Sequence, residues 1–277
     1  MPDIYRVNSN NIVGGSGRLV YKPYDGTFPN SIDEVIDLAA PYNLKTGWTE
    51  VGATTEGIST SRGFDTEDFE VDQQLGAADQ DITSWSHGLE TTLAENTPEN
   101  RKLALVGSPI VETPPTLGTQ TTLTAAVAAN ASIIGVTSAT AMLAGSFLQI
   151  SEGSNTEMKK INRISGTTIY LESPLKYAYT TAAAVRPVTK LGSRRLGYGT
   201  VTNIPTFTFA LISKKKDGSL YMAVFRKCKV TGDDKEQTFD KSKRLVPLQL
   251  AAFPIDDASI SVDENVYYEI EQLTYTP

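Results

Sequence analysis

Only one cysteine, Cys228, and one histidine, His87, occur in the 277 residues. A lone cysteine excludes an intrachain disulfide and a thiolate metal cluster, and a lone histidine removes His-rich metal sites. Any His-based triad would have to use His87, and no G-x-S-x-G elbow is present to serve it. No apolar run approaches the ~18–20 residues that cross a bilayer as a helix, so membrane insertion is not expected. The opening MPDIYRVNSN has neither a basic n-region nor an apolar h-region, and the expectation is folding in a cytoplasm. A basic excess is missing too: 25 Lys and Arg face 32 Asp and Glu, a formal net charge of −7. Such a chain is a poor general nucleic-acid binder, because duplex phosphates are repelled rather than neutralised.

What is present is a globular composition, 40% hydrophobic and 21% charged, in a chain long enough to bury a sizeable core. The charge is uneven. Residues 1–117 hold 7 Lys/Arg against 18 Asp/Glu, residues 118–190 hold 6 against 3, and residues 191–277 hold 12 against 11. The acid concentrates after Trp48. A glycine-punctuated turn, Thr54-Thr55-Glu56-Gly57, leads into a polar ribbon over 60–83, and then into Leu89-Glu90-Thr91-Thr92-Leu93 with Leu89, Thr91 and Leu93 on one strand face. The ribbon cannot pack a monomer's core, yet it carries β-type residues and lacks a linker's Ser/Pro bias. It needs a partner, which an oligomer would supply.

Elsewhere the pattern is mainly β. Residues 1–30 read as an arm or loop with one strand-like run, Arg18-Leu19-Val20-Tyr21. Ser31-Ile32-Asp33-Glu34 has capping-box spacing and predicts a short helix ending before Pro41. Thr97-Pro98-Glu99 predicts a second helix to about Val106, with Leu103 and Val106 inward and a stop at Gly107. Composition changes near Thr113-Pro114-Pro115, and short β-branched runs at about ten-residue spacing then close at Val188. After Gly192, Phe207-Thr208-Phe209-Ala210-Leu211 and a strand from Leu220 flank the hairpin signal Asp217-Gly218. The second strand places Tyr221, Ala223 and Phe225 on one side and Met222, Val224 and Cys228 on the other. Residues 245–253 read as a further strand before a short acidic tail with Tyr267 and Tyr268.

Sharper chemistry is weak. The acid pairs Glu67-Asp68, Asp233-Asp234, Asp256-Asp257 and Asp263-Glu264 sit among turn signals, and sequence neighbours do not supply the ~5–10 Å cleft geometry of a glycosidase. Gly14-Gly15-Ser16-Gly17 lacks the ending of a phosphate loop. Lys214-Lys215-Lys216 reads as a solvated hairpin tip, and Cys228 as a small buried hydrophobe. Tyr170, Tyr177 and Tyr179 either form a carbohydrate-stacking surface or fill their own core, and the core reading is preferred. No catalytic, cofactor or metal residue is assigned.

The order of these features resembles the major tail tube proteins of long-tailed bacteriophages. The likeness is carried by Ile32-Asp33-Glu34-Val35-Ile36-Asp37, Gly47-Trp48, the Val51 to Gly57 segment, Thr66-Glu67-Asp68, Val71-Asp72-Gln73, the helix with Glu99-Asn100, and Pro247-Leu248-Gln249-Leu250-Ala251-Ala252-Phe253-Pro254. It implies a tail-tube-type β-sandwich or barrel with a flanking helix, in two parts, 1–117 and 191–277. A small all-β domain at 118–190 would interrupt it and lie on the outer surface. It further implies stacked hexameric rings forming a conduit for DNA, in a virion tail assembled in the host cytoplasm. Implied partners are other copies of the chain, the tape measure protein, the tail terminator and baseplate or tail-tip proteins, with DNA passing without specific binding. Glu67, Asp68, Glu70 and Asp72 are the candidate lumen or inter-subunit residues. Two alternatives stand beside it: another tail or baseplate component whose insert binds the host surface, and, more weakly, a hydrolase of cell-surface polymers.

Overall fold

The computed structural model describes residues 17–70, 76–231, 235 and 243–273. The fold is mainly β, with 50% of the chain in strands and 5% helical. Packing divides the chain into two compact units, 1–110 with 196–277, and 111–195. In chain order the first unit holds β1 (Arg18–Pro23), β2 (Thr49–Glu50), β3 (Thr54–Glu70), β4 (Ala77–Leu93) and helix α1 (Pro98–Ala104). The second holds β5 (Val111–Thr113), β6 (Thr116–Leu117), β7 (Thr121–Thr122), β8 (Ile133–Gly135), β9 (Phe147–Glu152), β10 (Asn155–Ser165), β11 (Thr168–Leu171), β12 (Ala184–Lys190) and β13 (Ser193–Arg195). The first unit is completed by β14 (Thr206–Lys214), β15 (Leu220–Val230), β16 (Val246–Ala252) and β17 (Tyr267–Glu271).

Antiparallel pairing in the first unit follows the order β2-β1-β14-β15-β16-β4-β3, with β17 on β15. The two ends of that order, β2 and β3, are one stretch of chain separated only by Val51, Gly52 and Ala53. Pairing therefore runs once around a ring, because this stretch leaves β1 at Thr49 and Glu50 and joins β4 from Thr54. The switch occurs at Gly52, whose φ of +79° suits glycine. A Cβ there would also meet the Glu95 carboxylate, which accepts the Ala53 amide hydrogen at 3.0 Å. Inside the ring pack Leu19, Val51, Leu89, Leu93, Phe209, Phe225, Val246, Leu248 and Leu250, with Leu103 and Ala104 of α1. Another cluster joins Val20, Ala210, Met222 and Val224 to Ile32, Val35 and Ile36.

The second unit is built on the same plan. Its order is β6-β12-β9-β10-β11-β8, with β7 on β12, and a Leu123↔Val136 bridge links the segments after β7 and β8. β10 pairs with β9 in its first half and with β11 in its second, with a register shift between Ile161 and Arg163. Leu148, Ile150, Ile161, Ile169, Tyr179 and Val185 fill the centre. This compact unit is wider than the 118–190 expected from composition, because β5 pairs with β13 and β6 with β12.

Several local expectations need correction. Within 1–30, Arg18–Pro23 is an integral strand between β2 and β14, with Leu19 and Val20 buried; residues 1–16, with Gly14 to Ser16, lie outside the described residues. Thr54 to Gly57 is not a turn between strands. Glu56 (φ 63°) and Gly57 (φ 80°) form a bulge inside β3, where the register shifts between Thr55 and Ile58. The segment after Ser31 makes only a 3₁₀ turn over Ile32–Glu34, and the Glu34 carboxylate accepts from the Asn30 amide and the Ser31 hydroxyl rather than from the Ser31 amide. Helix α1 starts as expected, with the Thr97 hydroxyl accepting from the Asn100 amide at 3.1 Å. It ends two residues early. Val106 takes the left-handed position (φ 52°), and the Gly107 amide closes on Lys102 O. At Gly107 a Cβ would displace the end of the Leu196 side chain, 2.7 Å away, and press on the Lys102 backbone at 3.2 Å.

Cys228 shares the core side of Ala223 and Phe225 rather than that of Met222. A bulge between the Phe209↔Phe225 and Phe207↔Cys228 pairs reverses the alternation there. It also brings Arg226 to a buried position between Phe28 and Tyr268, 4.7 and 4.2 Å from their rings. Tyr267 and Tyr268 are not in a tail but in β17, paired with Phe225 and Val224.

Candidate functional site

Both β3 and β4 contain 17 residues, so each extends roughly 55 Å at ~3.3 Å per residue. β16 pairs with β4 only from Gly88 to Leu93. Beyond Ser61 and Gly88 the two strands continue as a two-stranded hairpin out to Glu70↔Ala77, and no third described strand joins either edge. The polar ribbon over 60–83 is thus a paired hairpin for its described part, with register shifts between Asp65 and Thr66 and between Phe69 and Glu70. Isolated two-stranded hairpins are at best marginal in water.

Strand alternation gives the hairpin two unlike faces. On one face Arg62, Phe64, Thr66 and Asp68 stand opposite His87, Trp85, Ile82 and Gln80. Phe64 and Trp85 touch at 5.1 Å between centroids, and the Arg62 guanidinium lies 4.4 Å over the Trp85 ring. Phe64, Ile82 and Trp85 are nonetheless 56%, 51% and 47% exposed. On the other face Gly63, Asp65, Glu67 and Phe69 stand opposite Ser86, Ser84, Asp81 and Asp79. Ser84 donates to Asp65 at 2.7 Å, but Glu67 faces Asp81 directly, a like-charge cross-strand pair that costs stability.

The structure accordingly separates the candidate acids. Glu67 lies on the carboxylate face, while Asp68 lies on the aromatic face and accepts from Gln80 Nε2 at 2.8 Å. Glu70, two residues on from Asp68, follows it in strand alternation; Asp72 lies outside the described residues. Residues 60–83 hold seven Asp or Glu against Arg62 alone.

At the hairpin's base an open groove of about 860 Å³ lies between Arg62, Trp85 and His87 on one wall and Pro254, Val262 and Tyr267 on the other. The His87 ring sits between Trp85 and Tyr267, at 6.2 and 5.7 Å, and Tyr267 stacks on core Phe225 at 5.2 Å. Partial burial, then the nearby Arg62 charge, lower the His87 pKa and favour neutral imidazole. This aromatic run escaped sequence reading, although the alternate spacing of Arg62 with Phe64, and of Trp85 with His87, could have revealed it. Only cross-strand register brings the pairs together.

The remaining sequence candidates are dispersed. Asp257 is engaged by Ser259 in its own turn, and Asp233-Asp234 lies outside the described residues. Lys215 pairs with Glu271 and Lys214 reaches the Tyr42 hydroxyl at 3.0 Å, beside the Asp217-Gly218 turn. Cys228 is fully buried, which pushes its pKa up to about 12. The tyrosines of the second unit form no common stacking surface: Tyr179 is buried, Tyr177 packs against the core, and Tyr170 carries the Arg163 guanidinium at 3.8 Å. Among the described residues no group of three or more His, Cys, Asp or Glu is arranged to hold a metal ion. No described helix is long and apolar enough to cross a membrane. No protein-family model matches the chain, and no curated protein is similar enough in sequence to count as a relative.

Proposed function

We infer that this protein is a structural, non-enzymatic subunit that associates with copies of itself, as a tail tube protein of a long-tailed bacteriophage does. The observation that carries the reading is the overshoot of β3 and β4 beyond their ring, with both edges unpaired among the described residues. Unpaired edges template pairing with another chain, and a marginal hairpin of this length gains most when neighbours supply the missing strands. In the tube reading, subunits close into rings, hexameric by the resemblance, and the rings stack in the virion tail around a passage for DNA. Carboxylates within a Debye length of roughly 8 Å would keep that DNA from adsorbing. The tape measure, terminator and tail-tip proteins would meet the ends of the tube.

Negative-stain electron microscopy of concentrated protein, with sedimentation on the same sample, tests this. Hollow tubes of uniform width, or rings with a central hole, are expected. A particle that stays monomeric at every concentration would overturn it.

A further inference from the structure

The hairpin's unlike faces cannot have the same surroundings. Phe64, Ile82 and Trp85 gather three large apolar side chains, each about half exposed, on a ribbon with no core behind it. Water-exposed apolar clusters of this kind mark contact surfaces. The opposite face carries Asp65, Glu67, Asp79 and Asp81 around one isolated apolar side chain, Phe69, 61% exposed, and covering those acids without cations would be costly.

The same chain carries lysines at both ends of β15. Lys214 to Lys216 lie at its turn and Lys227 with Lys229 at its far end, while Met222 and Val224 between them are covered by Ile32, Val35 and Ile36. Lys215 and Arg226 are engaged with Glu271 and Glu264, but Lys216, Lys227 and Lys229 make no ion pair among the described residues. Cys228 and Val230 point into the ring, so Lys227 and Lys229 alternate to its outside. On the hairpin, Asp68 stands on the aromatic face, with Glu70 next in alternation. Every copy thus carries an apolar strip ending in carboxylates and, at the far end of β15, the pair Lys227 and Lys229, the two halves of a head-to-tail contact.

We propose that the Phe64–Ile82–Trp85 face of the hairpin packs on the outer side of the Lys227–Lys229 end of β15 in a second copy of this chain, leaving Asp65, Glu67, Asp79 and Asp81 in water. The contact rests on the self-association reading, but not on that association forming an open tube. In the tube it assigns these four acids to the DNA passage, and removes Asp68 and Glu70 from it.

Quenching of Trp85 fluorescence by acrylamide tests the proposal, in a Trp48→Phe background where Trp85 is the only indole, alongside sedimentation. Trp85 is expected to lose most of its quenching as the subunits associate. Replacing Phe64 and Trp85 by serine should raise the half-assembly concentration by roughly tenfold or more, as for central aromatic contacts elsewhere. Neutralising Asp65, Glu67, Asp79 and Asp81 to their amides should leave assembly intact. Lys227→Glu with Lys229→Glu should weaken assembly, and adding Asp68→Lys with Glu70→Lys should restore it in part.

The outcomes separate the two readings. A closed oligomer without a central hole, with shielded Trp85, would sink the tube and keep this contact. Tubes in which Trp85 is as quenchable as in the monomer, or no rescue by the charge swap, would overturn the contact and keep the tube. A persistent monomer would overturn both.

Discussion

The two units of this chain close their sheets in the same way and end them differently. Each has one strand that changes partner part-way: the 49–70 stretch passes from β1 to β4, and β10 passes from β9 to β11. In the second unit the longest strand, β10, has 11 residues, and both of its halves are paired within the unit. In the first, β3 and β4 run on far past the last residue that β16 reaches. Closing a core therefore does not require the extra length. The second unit shows what a sufficient fold looks like; the excess in the first is what remains to be explained by partners.

The strongest test of this comparison is to damage each core separately. Phe209→Ala opens a cavity inside the first ring and should cost about 3–5 kcal/mol, while Ile150→Ala in the second should cost about 2–5 kcal/mol. Both side chains are fully buried. Calorimetry should show each substitution lowering the transition of its own unit while sparing the other. A single transition that both substitutions lower equally would mean that the units do not fold as separate bodies.

A polar counterpart in the second unit is Glu157, whose carboxylate accepts the Lys176 amide at 3.0 Å and pairs with Lys159 at 3.0 Å. Burial alone would raise its pKa, but the Lys176 and Tyr177 amides and Lys159 outweigh it and hold the pKa below the ordinary value. A depressed folded pKa contributes stability above the unfolded value near ~4.3 and loses it as the pH falls through the folded value. Glu157→Gln should therefore cost about 1–3 kcal/mol at neutral pH, and its difference from wild type should shrink in acid. Urea unfolding followed across that range would reveal it, and an unchanging difference would assign the cost to packing.

Much of this was legible in local pattern. The alternation of Leu89, Thr91 and Leu93, the Thr97-Pro98 start and the Asp217-Gly218 turn each depend on neighbouring residues, and each appears as read. What escaped was set by partners distant in the chain. The bulge that turns Cys228 inward is visible only in its register with Phe207, and β17 is a strand only because β15 offers it an edge. The hairpin lay between these cases. Its polarity and β-type residues were plain, but the division into an aromatic face and an acid face depends on Phe64 meeting Trp85 and Glu67 meeting Asp81.

Removing the overshoot would make the first unit end as the second does. Replacing Arg62 to His87 by Asn-Gly joins the paired residues Ser61 and Gly88 through a two-residue turn. Monomer stability should change by less than about 1 kcal/mol, since a two-stranded ribbon is marginal by itself. Assembly should be lost. Thermal melting and sedimentation of the shortened chain provide the check, and a large fall in melting temperature would place the hairpin within the monomer's own stability.

The smallest effect is a surface acid of the first unit. Slight burial would raise the Asp25 pKa, but hydrogen bonds from the Thr27 hydroxyl and amide, and from Lys22, bring it to about 2. Its side chain is 52% exposed, so solvent screens most of that gain, and Asp25→Asn should cost only about 0.3 kcal/mol at neutral pH. Because the folded pKa is the lower one, the stabilisation is present above the unfolded value of ~3.9 and disappears as the pH falls towards 2. The two proteins should differ by a constant amount from about pH 7 to 5 and converge below about pH 4. The second unit's transition should not respond to the substitution at any pH. If it moved with the first, Asp25 would be coupled to both units, and the separation drawn between them would fail at this point.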